Sequence, residues 1–215
     1  ETLAAAFAGR PRMVINCSAF TDVDGAETRE DEAGIVNGSA VAELARLCRQ
    51  HGSLLVHFST DYVFDGKAST PYPVGHPIAP VNAYGRSKAA GEAAIRASGC
   101  EHLLVRTSWL YAPWGRNFVL TMISLGREKE SIRVVEDQVG RPTSCEYLAE
   151  RTLALAEAGA RGTFHVTDGG NCSWYELAAA VLAATGSKCR VEPCATSAFP
   201  RPAVRPPYSV LDLSK

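Results

Sequence analysis

A tyrosine and a lysine stand four residues apart in Tyr84-Gly85-Arg86-Ser87-Lys88. They lie 24 positions after Thr60 of the run Ser59-Thr60-Asp61-Tyr62-Val63-Phe64-Asp65-Gly66. On a helix, positions i and i+4 lie one above the other on the same face. The phenol and the ammonium are then directed into one cleft. A free phenol titrates at about pH 10 and is a slow acid or base at neutral pH. A neighbouring cation favours the phenolate, so Lys88 is expected to lower the Tyr84 pKa toward the range useful for proton transfer. A hydroxyl such as Thr60, at the end of a preceding strand, can share the same substrate oxygen.

These groups need elements to hold them. Leu54 to Phe58 is a short apolar run, predicted as a buried strand that delivers Thr60. Residues 82–98 read as a helix carrying Tyr84 and Lys88 near its start. Met13 to Ser18 is predicted as a strand buried on both faces, and Leu103 to Thr107 as another strand. Val36, Ala40, Val41, Leu44, Ala45 and Cys48 recur at helical spacing, with Gly52 as C-cap. Leu3 to Ala8 reads as a helix tail closed by Gly9, and residues 66–81, rich in proline and glycine, as a loop. Further on, 117–129 and 145–158 are predicted helices, and 132–135 and 163–166 predicted strands. Ser173 opens a helix to Ala184 with Glu176 completing a capping box. Phe199 to Pro207 holds four prolines and is neither helix nor central strand. Apolar strands alternating with helices predict an α/β fold with a parallel sheet. Ligands bind such sheets at the carboxyl ends of the strands, where Thr60, Asp61 and Trp109 fall.

At 215 residues, 46% hydrophobic and 21% charged, the chain has the composition of a globular protein with a full core. A formal charge of −1 gives no reason to expect nucleic acid or an anionic membrane as partner. No apolar run approaches the roughly 18–20 residues of a membrane span. The start lacks a basic segment before an apolar one, so a cytoplasmic location is expected. The seven cysteines form no CxxC pair and do not cluster with the five histidines, so no metal site is expected. The sequons at Asn37 and Asn171 read as chance matches.

The two opening segments resemble an extended short-chain dehydrogenase/reductase. Arg106-Thr107-Ser108-Trp109-Leu110-Tyr111, Asn117-Phe118, Asp137 to Thr143, and Arg205-Pro206 followed by Ser209 and Leu211 narrow the resemblance. Together they are similar to the dTDP-4-dehydrorhamnose reductase family over nearly the whole chain. The resemblance implies a Rossmann-like doubly wound parallel sheet with a smaller α/β substrate-binding region. It places the cofactor core in 1–112 and 145–169 and the substrate region in 113–144 and 170–215. It implies reduction of the C4 keto group of a dTDP-4-keto-6-deoxy sugar by hydride from NADPH or NADH. Thr60, Tyr84 and Lys88 are carried over as catalytic: Tyr84 as acid, Lys88 on the nicotinamide ribose, Thr60 on the keto oxygen. Ala19, Phe20, Thr21 and Phe58 are carried over as cofactor contacts beside Tyr84 and Lys88. Asp61, Tyr62 and Trp109 join Thr60 on the sugar, and Asn117, Arg205 and Gln138 to Thr143 fall toward the nucleotide end. Mg2+ and a homodimer are implied by the resemblance alone, with no residues to identify them.

The family opens with a strand, a GxxGxxG turn and a helix that together hold the pyrophosphate. No such motif occurs here. The chain reads as a fragment that begins in a helix preceding the family's fourth strand and stops where a last helix would begin. Simpler readings stand beside the functional ones. Asp61 also reads as a turn cap, Trp174 as packing, His57 as a satisfied core histidine and Arg205 as a pin for the tail. Asp22, Asp24, Glu27 and Glu30 to Glu32 read as a solvated acidic face. Dehydratases of this superfamily carry Thr-Asp-Glu; Tyr62 after Asp61 leaves that second acid missing. The alternatives are a 4-epimerase or other nucleotide-sugar reductase and a non-catalytic subunit resembling the β subunit of methionine adenosyltransferase, against which Thr60 and Trp109 argue.

Overall fold

The computed structural model describes residues 3–214, so Glu1 and its expected helical placement lie outside them. In chain order the helices and strands are α1 (Leu3–Ala6), β1 (Met13–Asn16), α2 (Glu30–Gly34), α3 (Ala40–His51), β2 (Leu54–Thr60), α4 (Ala83–Ser98), β3 (His102–Thr107), β4 (Leu110–Tyr111), α5 (Phe118–Glu128), β5 (Ser131–Val135), β6 (Val139–Gly140), β7 (Thr143–Ser144), α6 (Cys145–Glu157), β8 (Gly162–His165), β9 (Cys172–Ser173), α7 (Trp174–Ala184) and β10 (Arg190–Cys194). The main sheet has the order β1-β2-β3-β8 and is parallel throughout. Alternate residues of its central strands supply two cores. Leu55 and Leu104 pack with Val41, Leu44, Ala45 and Cys48 of α3 and Ile95 of α4. Leu54, Val56, Leu103 and Val105 pack on the other face with Leu148 and Leu155 of α6. Helices on both faces make this the doubly wound arrangement. A second, two-stranded parallel sheet, β5 with β10, is covered by α5 and α7 through Met122, Val134, Ala178 and Leu182.

β1 differs from its expected double burial. Val14 packs on the α3 core, but Met13 and Ile15 on the other face are 37% and 42% exposed, because no described element covers them. β10 was not legible: Pro193 interrupts its donors, and only β5 pairs with it.

The helix carrying Tyr84 and Lys88 is fixed with unusual thoroughness at its start. Asn82 is the N-cap, its Oδ1 accepting from Gly85 N at 2.8 Å. Glu27 accepts from Ala83 N at 2.8 Å, and Glu30 grips Arg86 through two bonds of 2.7 and 2.9 Å. Asp24 accepts from Arg205 at 2.9 Å. The acidic stretch, expected to be a solvated face, therefore anchors α4 and the C-terminal tail. Between α2 and α3 the helical run widens into a π turn, Ile35–Ser39. Asn37 in that turn is fully buried and joins Phe20 O to Ser87 Oγ, which excludes its sequon as a modification site. Gly91 of α4 presses so closely on this turn that a Cβ there would collide with Asn37 O.

Gly91→Ala is thus expected to destabilise the fold by about 1–3 kcal/mol through forced separation of the helices. Gly34→Ala, with open space around it, should instead stabilise by about 0.5–1 kcal/mol through helix propensity. Urea midpoints shifting in opposite directions would bear this out; equal shifts would refute the close approach.

Candidate active site

β2 ends at Thr60, whose side chain caps the single 3-10 turn Asp61–Val63 by accepting from Tyr62 N at 3.1 Å. The backbone of this turn runs directly under Gly85, where any Cβ would strike Tyr62 O. Glycine beside Tyr84 is what lets the two segments touch. The rings of Tyr62 and Tyr84 meet edge to face at 6.0 Å. Phe20 supports Tyr84 from behind, in a cluster with Ala26, Ala33 and Ala83.

A cavity of about 610 Å³ opens at the carboxyl ends of β1, β2 and β3. Thr60, Asp61, Tyr62, Tyr84, Lys88 and Trp109 all line it, as do Ala19, Thr21 and Phe58. The expected group thus converges, with three exceptions. Phe20 turns its ring away, under the Arg29 guanidinium at 4.7 Å. Asn117 caps α5 by accepting from Leu120 N at 3.0 Å and donates to Ala112 O at 2.8 Å, away from the cavity. Arg205 lies instead in a second cavity of about 430 Å³, beside Arg133, Gln138 and Arg201. Tyr62 and Trp174 line both spaces and form the wall between them.

Trp174 is the residue that sequence reasoning missed. Its indole stacks on Trp109 with centroids 3.5 Å apart and planes 8° from parallel. Trp109 itself sits at φ 48°, a left-handed conformation rare for a bulky residue. Gly140 lies against the indole, and a Cβ there would overlap it. The positive φ, the stack and the bare glycine together hold one orientation of the ring.

The electrostatics invert one expectation. Burial pushes the Tyr84 phenol up to about 12, Asp61 adds to the rise, and the facing Thr60 hydroxyl opposes it. Lys88 does not depress it, because its ammonium donates to Phe58 O at 2.7 Å. Burial lowers Lys88 to about 8, against the attraction of Glu92 one turn further along α4. Tyr84 is therefore fully protonated at neutral pH. Asp61 is only 2% exposed. Burial raises its carboxyl to about 6, while the Ser209 and Thr60 hydroxyls act in the other direction. His57 Nδ1 accepts from Asn16 Nδ2 at 3.0 Å, but its buried Nε2 has no partner, so it is only half satisfied. Burial, then the Lys88 charge, lowers it to about 3.

Beneath the cavity a buried carboxylate is fully paired. Glu92 accepts from Ser59 Oγ at 2.6 Å and from Arg106 at 2.9 and 2.8 Å. Arg96 adds a further bond of 2.6 Å from the surface side. Arg106 also donates to Val74 O at 2.9 Å. Among the described residues, no group of three or more His, Cys, Asp or Glu side chains converges on a metal position, so no residues are assigned to Mg2+. No helix among them is long and apolar enough to cross a membrane.

The raised Asp61 pKa has a stability consequence. The folded state holds this proton more tightly than the unfolded chain, so the contribution is present below the ordinary aspartate value of 3.8 and lost as pH rises through about 6. Two pKa units correspond to roughly 3 kcal/mol. Asp61→Asn is expected to be more stable than the parent at pH 7 and to lose this part of the pH dependence. Thermal melts across that range would check it; a parent–variant gap that is constant with pH would contradict it.

The family model for the RmlD substrate binding domain matches residues 1–215. A dTDP-4-dehydrorhamnose reductase from Burkholderia thailandensis is 43% identical over 219 residues, covering 94% of this chain and 74% of that protein. A probable dTDP-4,6-dihydroxy-2-methyloxan-3-one 4-ketoreductase from Streptomyces antibioticus is 46% identical over 207 residues, covering 94% and 70%. The crystal structure of a Bacillus anthracis dTDP-4-dehydrorhamnose reductase in complex with NADP superposes with a TM-score of 0.95 at 40% identity, covering 98% of this chain and 75% of that one. Matched by the family model over 1–215, by relatives in sequence over 94% of its length and in fold over 98%, the chain belongs to the dTDP-4-dehydrorhamnose reductase family, that of the RmlD substrate binding domain.

Proposed function

We propose that this protein reduces the C4 ketone of a dTDP-4-keto-6-deoxy sugar, dTDP-4-dehydrorhamnose in the first instance, with NADPH or NADH as reductant. The observation that carries the reading is the convergence of Thr60, a protonated Tyr84 and Lys88 on one face of a single cavity. The similar proteins named above act on nucleotide-linked keto sugars, which supports the same substrate class here.

The cavity walls fit a nicotinamide riboside. Cys17, Ala19 and Thr21 present small side chains at the end of β1, and Phe58 offers an apolar face. Lys88, whose ammonium donates to Phe58 O and lines the cavity, would hold a hydroxyl of the ribose. A reduced nicotinamide bound there supplies hydride. Thr60 and Tyr84 then donate to the C4 oxygen from one side, stabilising the negative charge that develops on it. Tyr84 gives up its proton to that oxygen; a phenol held at high pKa is loaded with its proton at neutral pH, as a donor must be. Trp109, backed by Trp174, forms a flat apolar wall for the sugar ring and its methyl group. The second cavity, with Arg133, Arg201 and Arg205 around Phe199, has the cations and ring that suit a pyrimidine diphosphate. Tyr62 and Trp174, shared by both cavities, fit the junction of sugar and diphosphate.

We read residues 1–112 and 145–169 as the cofactor-holding part and 113–144 and 170–215 as the substrate-holding part. In support, the main sheet is confined to the first set and the β5/β10 sheet to the second. A homodimer and a cytoplasmic site of action remain part of the proposal by family resemblance.

Incubation with NADPH and dTDP-4-dehydrorhamnose should consume NADPH and yield the 4-hydroxy sugar. Tyr84→Phe should lower kcat by about 10²–10⁴ with the fold retained. Binding of cofactor and sugar without any NADPH consumption would favour the non-catalytic alternative. Near-normal turnover by Tyr84→Phe would remove Tyr84 as the acid.

A further inference from the structure

Two carboxylates are buried at this site, and they are treated in opposite ways. Glu92 has both oxygens paired with Arg106, Arg96 and Ser59. Asp61 has no cation on it: the Thr60 hydroxyl lies 3.0 Å from Oδ1, the Ser209 hydroxyl stands beside the carboxyl, and Oδ2 is buried without a close hydrogen-bond partner. A buried anionic carboxylate short of donors is costly, and protonation of the carboxyl is the cheapest relief. Asp61 also lines the cavity. Its neighbour Thr60 also faces the Tyr84 phenol. The three groups thus form a line, Tyr84 to Thr60 to Asp61, that starts at the reacting oxygen and ends at a carboxyl suited to hold a proton.

We propose that Asp61 is the proton reservoir of the reaction, recharging Tyr84 through the Thr60 hydroxyl in each turnover. This rests on the reading of Tyr84 as donor to the C4 oxygen. As C4 receives hydride, the carbonyl electron pair moves to oxygen and takes the Tyr84 proton, giving the alcohol and a phenolate. The Thr60 O–H, turned toward the phenolate, gives up its proton, and the carboxyl proton, carried on Oδ1 at 3.0 Å from Thr60 Oγ1, passes to the Thr60 oxygen. Asp61 is left as carboxylate and takes a proton from water entering the cavity, which closes the cycle. The ionisable and polar groups around Asp61 are compatible with this. Tyr84 faces it from α4, Ser209 from the C-terminal tail and Tyr62 from its own turn. Lys88 is turned to Phe58 O, and Arg205 is engaged by Asp24 at 2.9 Å.

The test is Asp61→Asn, which keeps the shape and the Oδ1 acceptor but cannot carry the proton. With NADPH and dTDP-4-dehydrorhamnose, the parent kcat should fall as pH rises past Asp61 ionisation. The variant should be at least about tenfold slower on the acid side and should lack that limb. Its KM should stay within about twofold. A second readout needs no cofactor. Ultraviolet titration of tyrosinate should show one phenol ionising at lower pH in Asp61→Asn, and that difference should vanish in a Tyr84→Phe background. An unchanged kcat profile, a raised KM at unchanged kcat, or an unmoved Tyr84 titration would each overturn the relay. A parent enzyme that never oxidises NADPH would instead overturn the functional reading on which it rests.

Discussion

The pairing of Glu92 with Arg106 is the constraint on which the site geometry depends. Glu92 is wholly buried and Arg106 is 2% exposed. A buried ion pair is weak support for net stability, because desolvating two charges offsets their attraction. Its value here is positional. Arg106 comes from the end of β3, Glu92 from the middle of α4, and Ser59 from the end of β2. Arg106 also reaches Val74 O in the long loop and stacks over Phe64 at 5.0 Å. Any rotation or slide of α4 would leave charges unpaired in a dry interior, so the helix has one acceptable register. Lys88 and Tyr84 lie one and two turns earlier on that helix and inherit its register.

Glu92 also carries an electrostatic role in the same contact. Burial removes charge from Lys88, and the Glu92 carboxylate, four residues along, opposes that loss. The Lys88 ammonium is fixed by Phe58 O rather than by the phenol, so it neither strips the proton from Tyr84 nor wanders from the cavity. The phenol stays protonated because burial disfavours its anion and Asp61 stands nearby. In a site whose task is donation, burial of the acid does more than a cation beside it would, since a lowered pKa would leave part of the population already deprotonated.

Much of this was legible in the sequence because it depends on local rules. The i, i+4 spacing placed Tyr84 and Lys88 on one face, Ser173 and Glu176 form the expected capping box, and Gly52 ends α3 at φ 67°. Thr60 and Trp109 fell at strand ends because apolar runs stop there. What could not be read depends on contacts between distant segments. Trp174 reads as helix packing until a stack 65 positions away from Trp109 makes it a cavity wall. Phe20 sits in a run whose neighbours Ala19 and Thr21 face the cavity, and alternation of side chains turns it the other way. Asp24, Glu27 and Glu30 read as solvated charge because their partners, Arg205, Ala83 and Arg86, come from remote parts of the chain. The sign of the Tyr84 shift was lost for the same reason: sequence shows a lysine four residues away but not that its ammonium is spent on a carbonyl.

The wall of Tyr62, Trp109 and Trp174 completes the logic of the site. Tyr62 is fixed by the Thr60 cap, so its position is coupled to the hydroxyl that faces the reacting oxygen. Trp109 follows β3 directly and takes a left-handed backbone, which throws its ring back over Gly140 and onto Trp174 of α7. Tyr62 and Trp109 are thus tied to the main sheet or its turn, and Trp174 meets them from α7 of the β5/β10 unit. Because Tyr62 and Trp174 also line the arginine-rich cavity, a ligand filling both spaces would hold the two parts of the molecule against each other at this wall. Recognition of the distant nucleotide end and placement of the keto carbon beside Thr60 and Tyr84 are then one mechanical event, since the same aromatic rings set both.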